Sequence, residues 1–444
     1  MAEAVTLLIF ALMLVGCVAT GVSVVFALMG GLVCFCVYTL YKRYTVGELV
    51  RMLWKGLKDS RTILVVFVLI GFLTAAWRAA GTIPCIVYYS ASSMIPKYYL
   101  FLTFLLCCGM SALTGTSFGT VSTMGVICAS LGLAMDIPVE YTGGAVMSGI
   151  YFGEQCSPMS SSALLVCELA ETNIYRIIVK VLGHVILPLA VTGALYLFLG
   201  RNWGSVPANA QSAQIFASAF RLGAVTLVPA AIIILFSVFR LRVEFTMLVS
   251  ILAASAICIA YQGMGVKELA VTLLRGYRTA RPELAPLIDG GGLWSMVDIG
   301  AIVAISSAYF GIFSSTPLLG NLKRWVENLA GRSNVFFATV VVSVITCAVS
   351  CNQTLASMLT CEMTKTLVDD KEELAVNLET SVIIIAGLIP WSIACAFPLS
   401  VVGAPKTSLL YAVYLYLVPA WMVLRAVFRG ERRGKRRISE QTGI

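Results

Sequence analysis

Charge is what this sequence has least of. Asp, Glu, Lys and Arg make up 12% of its 444 residues, against about 25% in a soluble domain. Apolar residues make up 59%, and mean hydropathy is +0.92. A soluble chain of this composition would carry apolar surface everywhere. That excludes a cytosolic enzyme, a nucleic-acid binder and a disordered chain. Histidine occurs once, at His184, and no Cys-x-x-Cys pair occurs. Zinc and iron–sulfur centres therefore lack ligands at usable spacing. The 14 cysteines sit singly or as Cys107-Cys108 and Cys34-x-Cys36, mostly in apolar runs, and read as small hydrophobes. No Walker-type phosphate loop occurs, so ion gradients are the expected driving force and no cofactor is expected. The first 16 residues lack a basic n-region and a cleavage site, and read as a membrane helix rather than a signal peptide.

What remains is an all-α polytopic membrane protein. A crossing needs about 20 apolar residues. Candidate spans are 4–20, 22–41, 61–79, 140–170 (interrupted), 174–200, 215–239, 242–262, 296–313, 374–403 (interrupted) and 404–428. Two further stretches, 98–134 and 333–366, are broken by Thr114-Gly115-Thr116-Ser117-Phe118-Gly119-Thr120 and by Ser350-Cys351-Asn352-Gln353-Thr354. Their arms, about 15 residues each, are short for a full crossing. Re-entrant hairpins are the natural reading, and broken helices the alternative. Polar backbone at membrane depth is tolerated only inside protein or along a water-filled cavity, so the breaks locate a pathway.

The halves repeat. Thr82, after the third span, matches Thr316 at an offset of 234, and Thr116 matches Asn352 at 236. Pro-containing breaks at 153–162 and 390–398 match at a similar offset. The expected organisation is a first repeat over 1–200, a linker over 201–214, a second repeat over 215–430, and a basic cytoplasmic tail over 431–444. Each repeat holds about five crossings plus one hairpin or broken helix, and the odd number inverts the second. With the N-terminus inside, 22 of the 31 basic residues fall on the cytoplasmic side, which supports cytoplasmic termini in the cell membrane. Segments 45–60 and 265–281 mix apolar and basic residues at helical spacing, as interfacial helices or amphipathic loops do.

The segment Ser148 to Ser162 carries the chemistry. An apolar helix here offers Glu154, Gln155 and several hydroxyls, with Gly153 and Pro158 to free backbone carbonyls. Sodium must exchange its water shell for about six oxygens, and a carboxylate supplies the countercharge. An unpaired carboxylate in hydrocarbon takes up a proton or holds a cation. One site that does either can exchange the two. Sodium ligands are expected at Glu154, Ser157 and Thr116. Ser117 and Thr120 could join from the first break, and Asn352, Gln353, Thr354 and Ser392 from the second half. Inverted-repeat transporters build midplane sites from such discontinuous elements. The alternative is that these polar groups only satisfy one another in helix packing.

At these residues the chain resembles the NhaC family of sodium/proton antiporters, in the ion transporter superfamily. The resemblance rests on Ile70-Gly71-Phe72-Leu73, Trp77 and Ala80-Gly81-Thr82-Ile83-Pro84. It rests also on Thr114 to Thr120, on Ser148-Gly149 through Tyr151-Phe152-Gly153-Glu154 to Ser157-Pro158, and on Ile389-Pro390-Trp391-Ser392. With the repeat layout these cover most of the chain. The family usually has Asp where Glu154 stands, and a second Asp shortly after Ser-Pro, where this chain has Ser160-Ser161-Ser162. One acid carries one proton or one sodium; a two-proton cycle would need another. Relatives of this family exchange malate for lactate, and others carry amino acids. A site poor in acid and rich in hydroxyls also fits an organic substrate with sodium as co-ion.

The expectation is a sodium/proton antiporter working by alternating access. The alternative is sodium- or proton-coupled transport of a small carboxylate or amino acid. A channel is disfavoured by the duplicated halves, and an embedded enzyme by the lack of a His/Asp/Glu cluster. The expected partners are the lipid bilayer and small ions or a small organic solute, with no nucleic acid; a homodimer is left open.

Overall fold

The computed structural model describes residues 2–203, 219–316 and 334–428, apart from 21, 23, 60, 92–94, 240 and 282–283. Most of the expected linker 201–214, and the whole basic tail 431–444, lie outside the described residues. The described residues form helices and no strand. In hydrocarbon each backbone N–H and C=O must be satisfied within its own segment, and helices do this.

Four helices have by themselves the length and hydropathy of a crossing: Pro96–Thr114, Ser117–Ala134, Ile174–Leu199 and Val243–Ala260. Two bent pairs have it together. Leu64–Ala79 joins Thr82–Tyr89 at 60°, and Lys371–Leu388 joins Ile393–Val401 at 55°. Ala2–Thr20, Val24–Tyr41, Val297–Ser315 and Val413–Phe428 fall where further spans are expected. Their outer faces are bare and apolar. Along Ile174–Leu199, Val179, Ile186 and Phe198 are 69%, 68% and 63% exposed. Such surface is stable against lipid, not water. The chain is a multi-pass membrane protein.

Inside, helices approach closely. Pro96–Thr114 lies along Val139–Cys156. Gly149 and Gly153, one turn apart, permit this. A Cβ on Gly149 would sit 2.7 Å from the Phe104 carbonyl oxygen, and one on Gly153 2.1 Å from the Ser111 carbonyl carbon. Small residues four apart are the usual device for bringing backbones together in a bilayer.

The two polar breaks share one backbone turn. Pro96–Thr114 ends at Gly115 in the left-handed region (φ 66), and Thr116 follows extended. Val335–Ser350 ends at Cys351, also left-handed (φ 55), and Asn352 follows extended. The arms differ from the expected 15 residues. The first break separates helices of 19 and 18 residues, and the second separates helices of 16 and 12. The second helix gains Ser117–Thr120, which Thr116 caps by accepting the Gly119 N–H. Thr120, Ser122 and Thr123 each donate to the carbonyl four residues back, so polar side chains remain inside a helix. Within that arm Val121–Gly125 widens to a π-turn, a feature frequent at functional sites.

The proline breaks also match. Ser160 caps Ser161–Leu169 and Ser392 caps Ile393–Val401, each accepting a backbone N–H. The amphipathic segments are the helices Val46–Asp59 and Val266–Arg275. The first opens on a capping box: Thr45 N–H donates to Glu48, and Glu48 N–H to the Thr45 hydroxyl. That backbone bond holds the Glu48 carboxyl below the usual range. Val46, Val50 and Trp54 form an exposed apolar stripe along this helix.

Candidate functional site

Pro158 disfavours helix at Ser157, which is extended (φ −97, ψ 132), so Val139–Cys156 stops there. Glu154 therefore sits in a last helical turn, 4% exposed. Its Oε2 accepts the Ser117 backbone N–H at 2.7 Å. Ser117 opens Ser117–Ala134, so the carboxylate faces the positive end of a helix dipole. Its Oε1 accepts the Ser162 hydroxyl at 2.5 Å. Ser162 Oγ also lies 3.4 Å from Gln353 Oε1, and Gln353 Nε2 donates to the Ile383 carbonyl at 3.0 Å. Three elements thus meet at the carboxylate, namely the end of Val139–Cys156, the first turn and the start of Ser161–Leu169, and the second turn joins them through Ser162.

Of the expected ligands, Glu154, Ser117 (through its backbone) and Gln353 come together. The others hold turns. The Ser157 hydroxyl donates to Ala112 O and accepts from Met159 N. Thr116 Oγ1 caps Gly119 N, and Thr120 Oγ1 donates to Thr116 O. Asn352 caps Thr354 and Leu355, and Ser392 caps Ala394. Thr354 is exposed. Beside the first turn lies a cavity of about 20 Å³, touched by Thr114, Gly119, Thr123, Met159, Thr246 and Met247. It has room for about one water molecule.

Two residues at the centre were not singled out from sequence. Ser162 was visible only as one of several hydroxyls. Glu379 lies in Lys371–Thr380, at the start of the expected span 374–403 and just after the acidic pair Glu372 and Glu373. Every residue from Leu374 to Thr380 is buried, and Glu379 is 0% exposed. Neither of its carboxylate oxygens has a hydrogen-bond partner among the described residues. Its charged neighbour is Glu154. Its backbone carbonyl accepts from Gln155 Nε2 at 2.6 Å, and Gln155 Oε1 accepts from the Tyr414 hydroxyl at 2.8 Å.

Basic side chains lie elsewhere. Lys180 and Arg176 pair with Glu372 (2.5 and 3.7 Å), Lys371 with Glu171, and Lys365 with Glu362. Lys371 holds the exposed Glu171 carboxyl below its usual range. No group of three His, Cys, Asp or Glu able to hold a metal occurs among the described residues. The arrangement is a buried acid at converging helix ends, held by neutral donors, inside a helical membrane protein. Discontinuous helices around a buried ion site mark secondary transporters.

The profile of the Na+/H+ antiporter family matches residues 2–200 and 149–429. The chain belongs to that family. It is 27% identical to the Na(+)/H(+) antiporter NhaC of Bacillus subtilis, over 83% of this chain and 84% of that one. It is 24% identical to the malate-2H(+)/Na(+)-lactate antiporter of the same organism, over 87% and 85%. It is 24% identical to the arginine/ornithine antiporter ArcD of Halobacterium salinarum, over 87% and 84%.

Proposed function

We propose that the chain exchanges sodium for protons by alternating access around a midplane cation site at Glu154. The observation that carries this reading is the state of that carboxylate. It is buried, held by one backbone N–H and one hydroxyl, and has no basic partner among the described residues. A buried anion so placed takes either a proton or a metal cation, because ionisation without a partner is unfavourable at membrane depth. Sodium at Glu154 would take the Ser162 hydroxyl and Gln353 Oε1 as neutral oxygens, with Ser157 and Thr116 supporting the backbone around it. The paired turns at 115–116 and 351–352 support two structural repeats, and the odd number of crossings in each supports their inversion. Basic-residue asymmetry supports cytoplasmic termini in the cell membrane. Gradients of sodium and protons drive the cycle, and the protein is a transporter rather than an enzyme.

The second reading is coupled transport of a small carboxylate or amino acid. It is favoured by the relatives named for malate, lactate, arginine and ornithine, and by Ser162 beside Glu154. Sealed proteoliposomes with an imposed sodium gradient and an internal pH dye separate the two. Proton movement with sodium alone, lost in Glu154→Gln, is the expected result. Proton movement that begins only when a carboxylate or amino acid is added overturns the first reading in favour of the second.

A further inference from the structure

We infer that Glu379 is a second proton-carrying carboxylate of the transport site, releasing its proton in the same cycle as Glu154. The inference rests on the exchange reading above and adds a second group to it.

The argument starts from burial. Glu379 is fully buried, and neither oxygen meets a hydrogen-bond partner among the described residues. A purely structural buried acid is hydrogen-bonded, because an unsatisfied polar group is unfavourable in a medium without water. Here the backbone of the same residue is bonded, through Gln155, while its carboxyl is not. The carboxyl is therefore left for a ligand that comes and goes.

Its surroundings say which ligand. The titratable groups facing it are Glu154, Cys156 and Cys167. On the helices packed around it Lys180 and Arg176 pair with Glu372, Lys371 with Glu171, and Lys365 with Glu362, and the other ionisable groups are His184, Glu168, Glu373 and Arg425. With no cation against it, the carboxyl is neutral when it carries a proton. It becomes ionised only when a positive charge is shared with it, and a sodium ion held between the Glu154 and Glu379 carboxylates is that charge.

One contact reaches Glu379 from the residue beside Glu154, and a second chain of contacts reaches the element that follows the Glu379 helix. Glu154 is followed by Gln155, whose amide reaches the Glu379 carbonyl. Glu154 also accepts from Ser162, which lies 3.4 Å from Gln353, and Gln353 donates to Ile383 beyond the break at Ser381. A cation arriving at Glu154 therefore acts on Glu379 through its field and through the Gln155 amide on the Glu379 carbonyl. The balance is as follows. Sodium binds; one proton leaves Glu154 and one leaves Glu379. The loaded site carries one net negative charge, and the site that returns with both protons carries none. Each cycle moves two protons against one sodium ion and carries one net charge.

The test is a coupling ratio, which a merely structural role would not move. Wild type and Glu379→Gln are reconstituted with the membrane potential clamped at zero, and the pH gradient that stops net flux against a tenfold sodium gradient is found. Two protons per sodium place it at about half a pH unit, and one proton at about one unit. The inference expects about half a unit in wild type and about one unit in the variant. Equal null points with slower flux in the variant overturn it. A second measurement needs no variant: protons released per sodium bound by purified wild-type protein across pH. A maximum above one supports the inference, and one or fewer at every pH overturns it. If wild type moves no protons on sodium alone, the sodium/proton reading itself fails. The proton count, repeated with the solute that drives flux, then decides Glu379 separately on the same criterion.

Discussion

The two polar turns have nearly the same backbone and different chemistry. Each runs from a left-handed residue to an extended cap: Gly115 to Thr116 in the first half, Cys351 to Asn352 in the second. In the first turn the next backbone N–H, of Ser117, binds a carboxylate. In the second the next residue, Gln353, sends its side chain back toward Ser162 and on to Ile383. One turn thus meets an anion and the other offers a neutral amide. The comparison teaches that the geometry of a helix break is set by caps and a left-handed residue, while its charge is set by what a neighbouring helix delivers.

The comparison is broken most severely at the acid. Glu154→Gln is expected to reduce sodium-driven proton flux to the background of empty vesicles while the protein remains folded. The equivalent change at the second turn, Gln353→Ala, is expected to leave flux and weaken sodium affinity, because it removes one neutral oxygen and no charge. Next comes the donor. Ser162→Ala removes a hydrogen bond to a charged group, about 1.5–3 kcal/mol, which is a loss of roughly ten- to a hundredfold in sodium affinity by titration calorimetry.

The left-handed residues should respond in opposite directions. Gly115→Ala places a Cβ at positive φ, 2.4 Å from the Met159 carbonyl carbon. Thermal unfolding in detergent should show a loss of at least about 1–2 kcal/mol. Cys351→Gly relieves the same backbone preference and should stabilise by up to about 1 kcal/mol. Smallest are the caps. Thr116→Ala and Asn352→Ala should each lower stability by about 1 kcal/mol, and similar values would sharpen the view that both residues hold turns.

Much of this was legible in the sequence. The spans follow from hydropathy, and the breaks from Gly, Pro and clustered hydroxyls. Glu154 stood out because a lone carboxylate in an apolar helix needs a reason. The division of labour among hydroxyls was not legible. Thr116 and Asn352 look the same in sequence whether they bind an ion or cap a helix, and only the direction of the side chain separates the two. The second of the first pair of arms reads short because Ser117-Phe118-Gly119-Thr120 resembles a loop, although Thr116 caps it as a helix and Thr120 bonds back to the Thr116 carbonyl. Glu379 did not stand out. Asp369, Asp370, Glu372 and Glu373 stand just before the expected span 374–403, and the sequence does not show that Glu379, five residues into that span, faces Glu154.

The central claim is that sodium and protons contend for the carboxylate of Glu154. Sodium affinity of the purified protein, measured by calorimetry across a range of pH, tests it most directly. Competition predicts an apparent Kd that rises at least about tenfold for each unit of falling pH, once the site is protonated, and no binding in Glu154→Gln. A Kd independent of pH, or sodium binding retained in that variant, would contradict the account.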